Sequence, residues 1–231
     1  MKKVTQLALA AMVAGMAVNA AAYEQGDWIL RADRKSGAVT VAPDEDSDNI
    51  VLPTAPPTVL PGVSVDNDTQ LSIIPVYMLT DNWAVEVLAA TPFEHDITVN
   101  GVGIPAGSIK HLPPTVSMQW YPRGGQQGWQ PYVGAGVNYT FIYDEKVDPA
   151  LAGALNGLIG ATEADLSLDD SFGLAAQAGV DIPLSENWAV NVAVWYIDID
   201  TTAKIRTDVG TVAFDVDIDP WVYNVGIAYR F

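Results

Sequence analysis

The last eleven residues, WVYNVGIAYRF (221–231), alternate without a break. Trp221, Tyr223, Val225, Ile227, Tyr229 and Phe231 fall on one side; Val222, Asn224, Gly226, Ala228 and Arg230 fall on the other. A period of two belongs to a β-strand, whose successive side chains point to opposite faces. In a water-soluble strand the apolar face is buried and the polar face is wet. Here the apolar face is heavy and aromatic, and the opposite face is small and polar. The question is which side meets water.

Alternation recurs along the chain and marks eight strands, near 26–33, 69–79, 83–97, 111–121, 130–143, 169–182, 188–202 and 212–231. The connections after the second, fourth and sixth are short: Thr80-Asp81-Asn82, a Gly-rich stretch from Arg123 to Gln130, and Pro183 to Asn187. Those after the first, third, fifth and seventh are mostly longer. They include PDEDSDNIVLPTAPPTVLPG and PALAGALNGLIGA, the second a candidate for a short helix. Short turns at one end and long loops at the other are the layout of bacterial outer-membrane barrels.

The start of the chain points to the same compartment. In MKKVTQLALAAMVAGMAVNAAA, Lys2 and Lys3 form a charged n-region, Leu7 to Val18 an apolar core, and Asn19 to Ala22 a small-residue cleavage zone. Residues 1–22 are therefore expected to be a secretory signal peptide, with the mature chain beginning near Ala21 to Tyr23. A membrane anchor would need a longer apolar run. No stretch of about 18 apolar residues follows the leader, so no helix is expected to span a bilayer. A closed β-barrel is the alternative, because it satisfies every backbone group between strands. The chain has no Cys, so disulfides do not stabilise it. Its net charge of −17 argues against nucleic-acid binding, since phosphates would be repelled.

A secreted β-sandwich would also show alternating strands. The aromatic positions separate the two folds. The seventh strand reads Trp188, Val190, Val192, Val194, Tyr196 on one face. The third reads Trp83, Val85, Val87, Ala89, Thr91, Phe93; the fourth Val116, Met118, Trp120; the fifth Val133, Ala135, Val137, Tyr139, Phe141. Aromatics at the limits of aliphatic faces are the girdles of a membrane barrel. The opposite faces collect Arg31, Glu86, Gln119, Asn138, Gln177, Asn191, Asn224 and Arg230. The expected fold is all-β: residues 23–231 form an eight-stranded antiparallel transmembrane β-barrel with long extracellular loops and short periplasmic turns. The apolar faces meet lipid and the polar faces look inward.

The stretches VEVLAATPFEHDI, HLPPTVSMQWYP, PYVGAGVNYT, WYIDIDTTA and IDPWVYNVGIAYRF resemble the OmpW family of small outer-membrane proteins. The likeness extends over most of the mature chain and weakens in the first and third long loops. It implies a Gram-negative outer membrane and the passage of small hydrophobic molecules. By the same resemblance, the terminal Phe231, with Tyr229 before it, is the signal read by the outer-membrane assembly machinery. The long acidic, proline-rich first loop departs from the family pattern.

The residues support a transport reading on their own. Up the seventh strand the outward residues change from Trp188–Tyr196 to Asp198 and Asp200, while the inward ones change from Asn191 to Trp195, Ile197 and Ile199. The eighth repeats the change: Asp215, Asp217 and Asp219 face out where Phe214, Val216 and Ile218 face in. In the third, inward Leu88 lies above Glu86. The upper lumen is thus expected to be apolar, above a polar plug of Arg31, Glu86, Gln119, Asn138, Gln177, Asn191, Asn224 and Arg230. Glu86 is expected to pair with Arg31 or Arg230, because an isolated buried carboxylate is costly. Leu88 and Trp195 would form the chamber floor, and the resemblance points to the same two positions.

An eight-stranded barrel is wide enough for its own side chains or for one small ligand. Two readings follow: the apolar residues simply fill the upper barrel, or they form a chamber for a hydrophobic solute, which the resemblance favours. The expected function is passive uptake of small hydrophobic molecules into the outer membrane. The alternative is a structural, adhesive or receptor barrel without transport. Pro92, Pro113 and Pro114 lie at similar height on adjacent strands and lack ladder N–H groups. They mark either a lateral opening or simply the ends of the membrane-embedded segments. Enzyme activity, cofactors and a resident metal are not expected. His95 and His111, with Glu94 or Asp96, could meet across one hairpin and hold a metal, but solvated loop histidines are the simpler expectation. The aspartate ladders fall on the outer wall, where catalysis is not expected and divalent cations near lipopolysaccharide are the natural partners.

Overall fold

The computed structural model describes residues 22–32, 39–43, 46–54 and 56–231. Apart from Ala22, the expected leader lies outside the described residues. Eight antiparallel strands close on themselves: β1 (Trp28–Ala32), β2 (Ser72–Met78), β3 (Trp83–Ala90), β4 (Thr115–Trp120), β5 (Gln130–Val147), β6 (Ser171–Pro183), β7 (Trp188–Ile197) and β8 (Trp221–Arg230). Each pairs with the next in sequence, and β1 pairs with β8 through Ile29↔Arg230 to Ala32↔Ile227, which removes every free edge. The Phe231 N–H donates to the Trp28 carbonyl at 2.9 Å, fixing the last residue to the first strand.

The outer surface of these strands is suited to lipid. Val85, Val87, Val116, Met118, Val133, Val137, Leu174, Val225 and Ile227 point outward between two aromatic bands. The lower band includes Trp28 against Tyr77, Trp188 against Tyr229, and Trp83 opposite Trp120. The upper includes Tyr139 against Phe141, and Tyr196 against Trp221. No described helix is long and apolar enough to cross a membrane.

Above the upper band the wall continues in polar-faced strands. Phe93–Val99 and Ile104–Leu112 form one hairpin, Asp200–Thr207 and Gly210–Asp217 another, with Ala164–Leu168 alongside the second. The expected helix is α1 (Pro149–Ile159), with Asp148 as N-cap accepting from the Ala150 N–H at 2.7 Å and Gly160 at φ 73° as C-cap. Two expectations need correction. The first connection is not a bare loop: within it, Val63–Val65 pairs with Phe93–Val99, Asp46–Ser47 with Gly210–Asp217, and Ile50–Leu52 with Thr58–Leu60. Leu, Val and Ile among its acids and prolines supply buried contacts, so the segment roofs the barrel. The second concerns Phe93, expected on the lipid face but buried inside. Alternation slips at Thr91 and Pro92, where the ladder breaks, and a one-residue slip turns Phe93, His95 and Ile97 inward.

Candidate functional site

The lumen divides by height. Low in the barrel, β1 directs Arg31 inward, and its guanidinium reaches two carboxylates. Nη1 donates to Glu86 Oε2 at 2.6 Å, and Nη2 and Nε donate to Asp181 Oδ2 and Oδ1 at 2.7 and 3.2 Å. Nη2 also donates to the Tyr121 hydroxyl at 2.7 Å, and the guanidinium lies 4.4 Å from the centre of the Tyr132 ring. Glu86 accepts three further bonds, from Gln119 Nε2 (2.6 Å), Gln177 Nε2 (2.9 Å) and the Trp195 indole (3.3 Å). Asn191 donates to Asp181 and to Tyr132, and Asn224 donates to Asn191. Arg31 and Glu86 are fully buried, so the network is a dry, hydrogen-bonded plug.

Of the residues expected there, Arg31, Glu86, Gln119, Gln177, Asn191 and Asn224 are brought together. Asn138 forms a separate cluster with Thr115 and Thr140. Arg230 is not in the plug. It lies six residues below Asn224 along β8, about 20 Å of strand, and binds the Ala22 carbonyl and Asp27 at the rim. The sequence reading missed Asp181, Tyr121 and Tyr132. Asp181 shares the inward parity of Gln177 on β6, a signal available in the alternation itself.

Above the plug the lumen is mainly apolar, the Thr115–Asn138–Thr140 cluster standing on its wall at and above the level of Leu88. Leu88, Phe93, Trp195, Ile197 and Ile199 are at most 3% exposed, and pack as a continuous layer. A cavity of about 30 Å³ lies higher, lined by Ile97, Ile109, Leu166, Phe214, Val216 and Ile218 among others, with Ile50 from the roof segment. This has room for a water or two. Phe214, Val216 and Ile218 are among its lining residues, whereas Leu88, Trp195, Ile197 and Ile199 are not.

Beside this layer the wall changes. β3 and β4 pair up to Leu88↔Thr115, and pairing resumes at Phe93↔His111. Pro92, Pro113 and Pro114 fall inside this interruption of the ladder. Just above it, His95 Nε2 and His111 Nε2 are 2.8 Å apart. Contrary to the expectation of solvated loop residues, both rings are buried: the slip at Pro92 turns His95 inward, and His111 shares the inward parity of Thr115, Ser117 and Gln119. Glu94 and Asp96 consequently face outward, so they do not join the histidines as a donor set. The outward Glu94 and Lys110, paired across the hairpin, place this level above the membrane-spanning strands. Burial, with His95 alongside, pushes the His111 imidazole down to about 3; burial also lowers His95, against the opposing pull of Asp66, Asp68 and Asp96.

On the outer wall above Tyr196, ligand oxygens of Asp198, Asp200 and Asp219 lie within 4.8 Å of one another. Partial burial and repulsion from Asp198, Asp219 and Asp217 hold the Asp200 carboxyl above its usual range.

Comparison with known proteins gives a consistent picture. The model of the OmpW family matches residues 24–231. Outer membrane protein W of Escherichia coli (strain K12) is 42% identical over 231 residues, covering 100% of both chains. The crystal structure of OprG from Pseudomonas aeruginosa superposes with a TM-score of 0.79 at 40% identity, covering 93% of this chain and 99% of that one. A more distant relative, the dibenzothiophene metabolism operon protein PahQ of Pseudomonas aeruginosa, is 24% identical over 177 residues, 74% of this chain and 77% of its own.

Proposed function

The chain belongs to the OmpW family of Gram-negative outer-membrane barrels, and from that premise we propose that it is a passive conduit for small hydrophobic molecules entering from outside. The observation that carries this reading is the polarity step in the lumen: mainly apolar from Leu88 and Trp195 upward, broken only by the Thr115–Asn138–Thr140 cluster, the His95–His111 pair and isolated Ser and Thr side chains, and charged from Glu86 downward. An apolar solute gains by entering the upper part. It loses that gain at the plug, since about 100 Å² of buried apolar surface is worth roughly 2.5 kcal/mol. A straight path into the periplasm is therefore disfavoured, and the interrupted ladder at Pro92, Pro113 and Pro114 offers a sideways exit into the membrane. The name of PahQ, tied to metabolism of an apolar aromatic compound, supports the same solute class.

In this structure the chamber is closed. Ile50, Val63 and Val65 of the roof segment close against it, and about 30 Å³ cannot hold an organic molecule. Uptake on this reading requires the Ile50–Leu60 region to lift. The barrel catalyses nothing; Tyr229 and Phe231 address it to the assembly machinery, and the outer aspartates face lipopolysaccharide with its divalent cations. The small cavity favours one alternative, a structural barrel with a filled lumen. Uptake of ethylbenzene by cells lacking the protein, carrying it, or carrying Trp195→Asp separates them. Faster uptake with the wild type, lost in a correctly folded Trp195→Asp, is the expected result; equal uptake in all three refutes transport.

A further inference from the structure

The histidine pair fixes its own protons. His95 Nδ1 faces the Asp66 carbonyl oxygen. A carbonyl oxygen accepts and cannot donate, so His95 carries its proton on Nδ1. Neutral His95 then presents a lone pair at Nε2, and His111 Nε2, 2.8 Å away, must donate to it. The remaining nitrogen, His111 Nδ1, is left with a bare lone pair. It is buried and has no hydrogen-bond partner among the described residues. A second proton on His111 would not remedy this: burial and the neighbouring His95 oppose it more strongly than the pull of Asp68 favours it, and Glu94 and Asp96 point outward.

The position of this acceptor is as specific as its chemistry. Ile109 and Ile97, which line the apolar cavity, are each two residues from His111 and His95 on the same strands and the same inward face, a separation of about 7 Å. The ring of Phe93 covers one side of His111 at 5.3 Å. His111 thus sits one inward position below the lining of the apolar cavity and just above the interrupted ladder.

We propose that His111 Nδ1 is the polar element of a solute subsite, which takes hydrophobic molecules carrying one hydrogen-bond donor, such as phenols and alkanols, in preference to hydrocarbons. This rests on the conduit reading for its biological purpose. An alkyl or aryl body fills the chamber while its hydroxyl donates downward to the lone pair. A hydrocarbon of the same shape leaves that buried acceptor unsatisfied, which is how sites built around one hydrogen bond reject analogues that lack it.

The test is nitrogen NMR of imidazole-¹⁵N-labelled full-length protein in micelles, titrated with 4-ethylphenol or ethylbenzene. The expected result is a shift of the non-protonated His111 Nδ1 resonance to lower frequency with 4-ethylphenol and not with ethylbenzene. A resonance unmoved by 4-ethylphenol up to its solubility limit overturns the proposal. In cells, the uptake preference for 4-ethylphenol over ethylbenzene should fall roughly fivefold in a His95→Phe/His111→Phe variant, the ratio one neutral hydrogen bond supports; an unchanged preference also overturns it. A shifted resonance without any protein-dependent uptake would leave the subsite standing and remove the conduit reading instead.

Discussion

Counting charges in the plug predicts an unequal response to removing its two central members. Glu86 accepts four hydrogen bonds, the most of any side chain in the plug. Yet with Glu86→Ala, Arg31 remains bound to Asp181 through two bonds of 2.7 and 3.2 Å, and no charge is stranded. Gln119 keeps the Gln177 carbonyl at 2.9 Å. What remains is an unpaired indole N–H, an unpaired amide and one guanidinium N–H, at roughly 1–3 kcal/mol each, for a total on the order of 3–9 kcal/mol with no buried charge left alone. Arg31→Met strands two buried carboxylates at once. Breaking a buried pair costs about 3–5 kcal/mol, so two should cost roughly 6–10 kcal/mol. The triple variant Arg31→Met/Glu86→Gln/Asp181→Asn carries no charge in the plug and should recover most of that loss. Equilibrium urea unfolding of the refolded barrel in micelles, followed by tryptophan fluorescence, gives the three midpoints. Equal midpoints for Glu86→Ala and Arg31→Met, or a triple variant no more stable than Arg31→Met, would refute the charge accounting.

Three other outcomes follow from the geometry. A Cβ at Gly179 would lie 2.4 Å from the Tyr132 ring, so Gly179→Ala should displace that ring from Arg31 and destabilise by about 1–3 kcal/mol, read from the same urea midpoints. Because the His111 pKa is depressed to about 3, the unfolded hairpin binds a proton below pH 6.5 that the folded one refuses. Stability of the Phe93–Leu112 hairpin should therefore fall as pH drops through that window, by about 2 kcal/mol at pH 5; amide exchange equally protected at pH 7 and pH 5, after correction for intrinsic rates, would contradict this. Pro92→Ala restores one ladder N–H, so if the interrupted wall is the exit, ethylbenzene uptake should slow while the barrel keeps its heat-modifiable mobility on gels; unchanged uptake would discard the lateral exit.

How much was legible in the sequence depended on whether alternation ran unbroken. Along β7, β8 and the Asp200–Asp217 hairpin that joins them, the parity holds from Trp188 to Ile205 and from Val212 to Ala228, so inward Trp195, Ile197, Phe214 and Val216 could be assigned from spacing alone. Pairing of Arg31 with Glu86 was likewise legible, because a buried carboxylate demands a cation and few basic residues share its face. Asp181 followed the same rule and was still missed, since it stands at the lower end of β6 where the chain turns. At Pro92 the parity slips, and every side chain beyond it changes face. No count of alternating residues reveals which way such a slip resolves, which is why Phe93 and His95 were misplaced together; His111 keeps the inward parity of Thr115, Ser117 and Gln119, and its burial could have been read from that strand. The roof was hidden for another reason: Asp46–Ser47 and Val63–Val65 are too short to show a period, and they become strands only because a finished wall is there to pair with.

That same slip gives the lumen its asymmetry. Had alternation continued through Thr91 and Pro92, Glu94 and Asp96 would face inward and the histidines outward, and the wall beside the cavity would be acidic. Instead the slip turns Phe93, His95 and Ile97 in, and the ladder interruption it leaves lies directly below them. Apolar lining, one polar acceptor and the weakest stretch of wall are thereby stacked within a few residues on β3 and its neighbour. On the proposed route, a solute descending from the cavity meets the acceptor first and the gap in the ladder next. The packed layer of Leu88 and Trp195, with the Glu86 network beneath it, then opposes any further descent. On that route a lateral exit at this height demands the least rearrangement, because no ladder pairs join the two segments between Leu88↔Thr115 and Phe93↔His111, while Thr91 and Pro114 are held from their other sides by Leu71 and Tyr139.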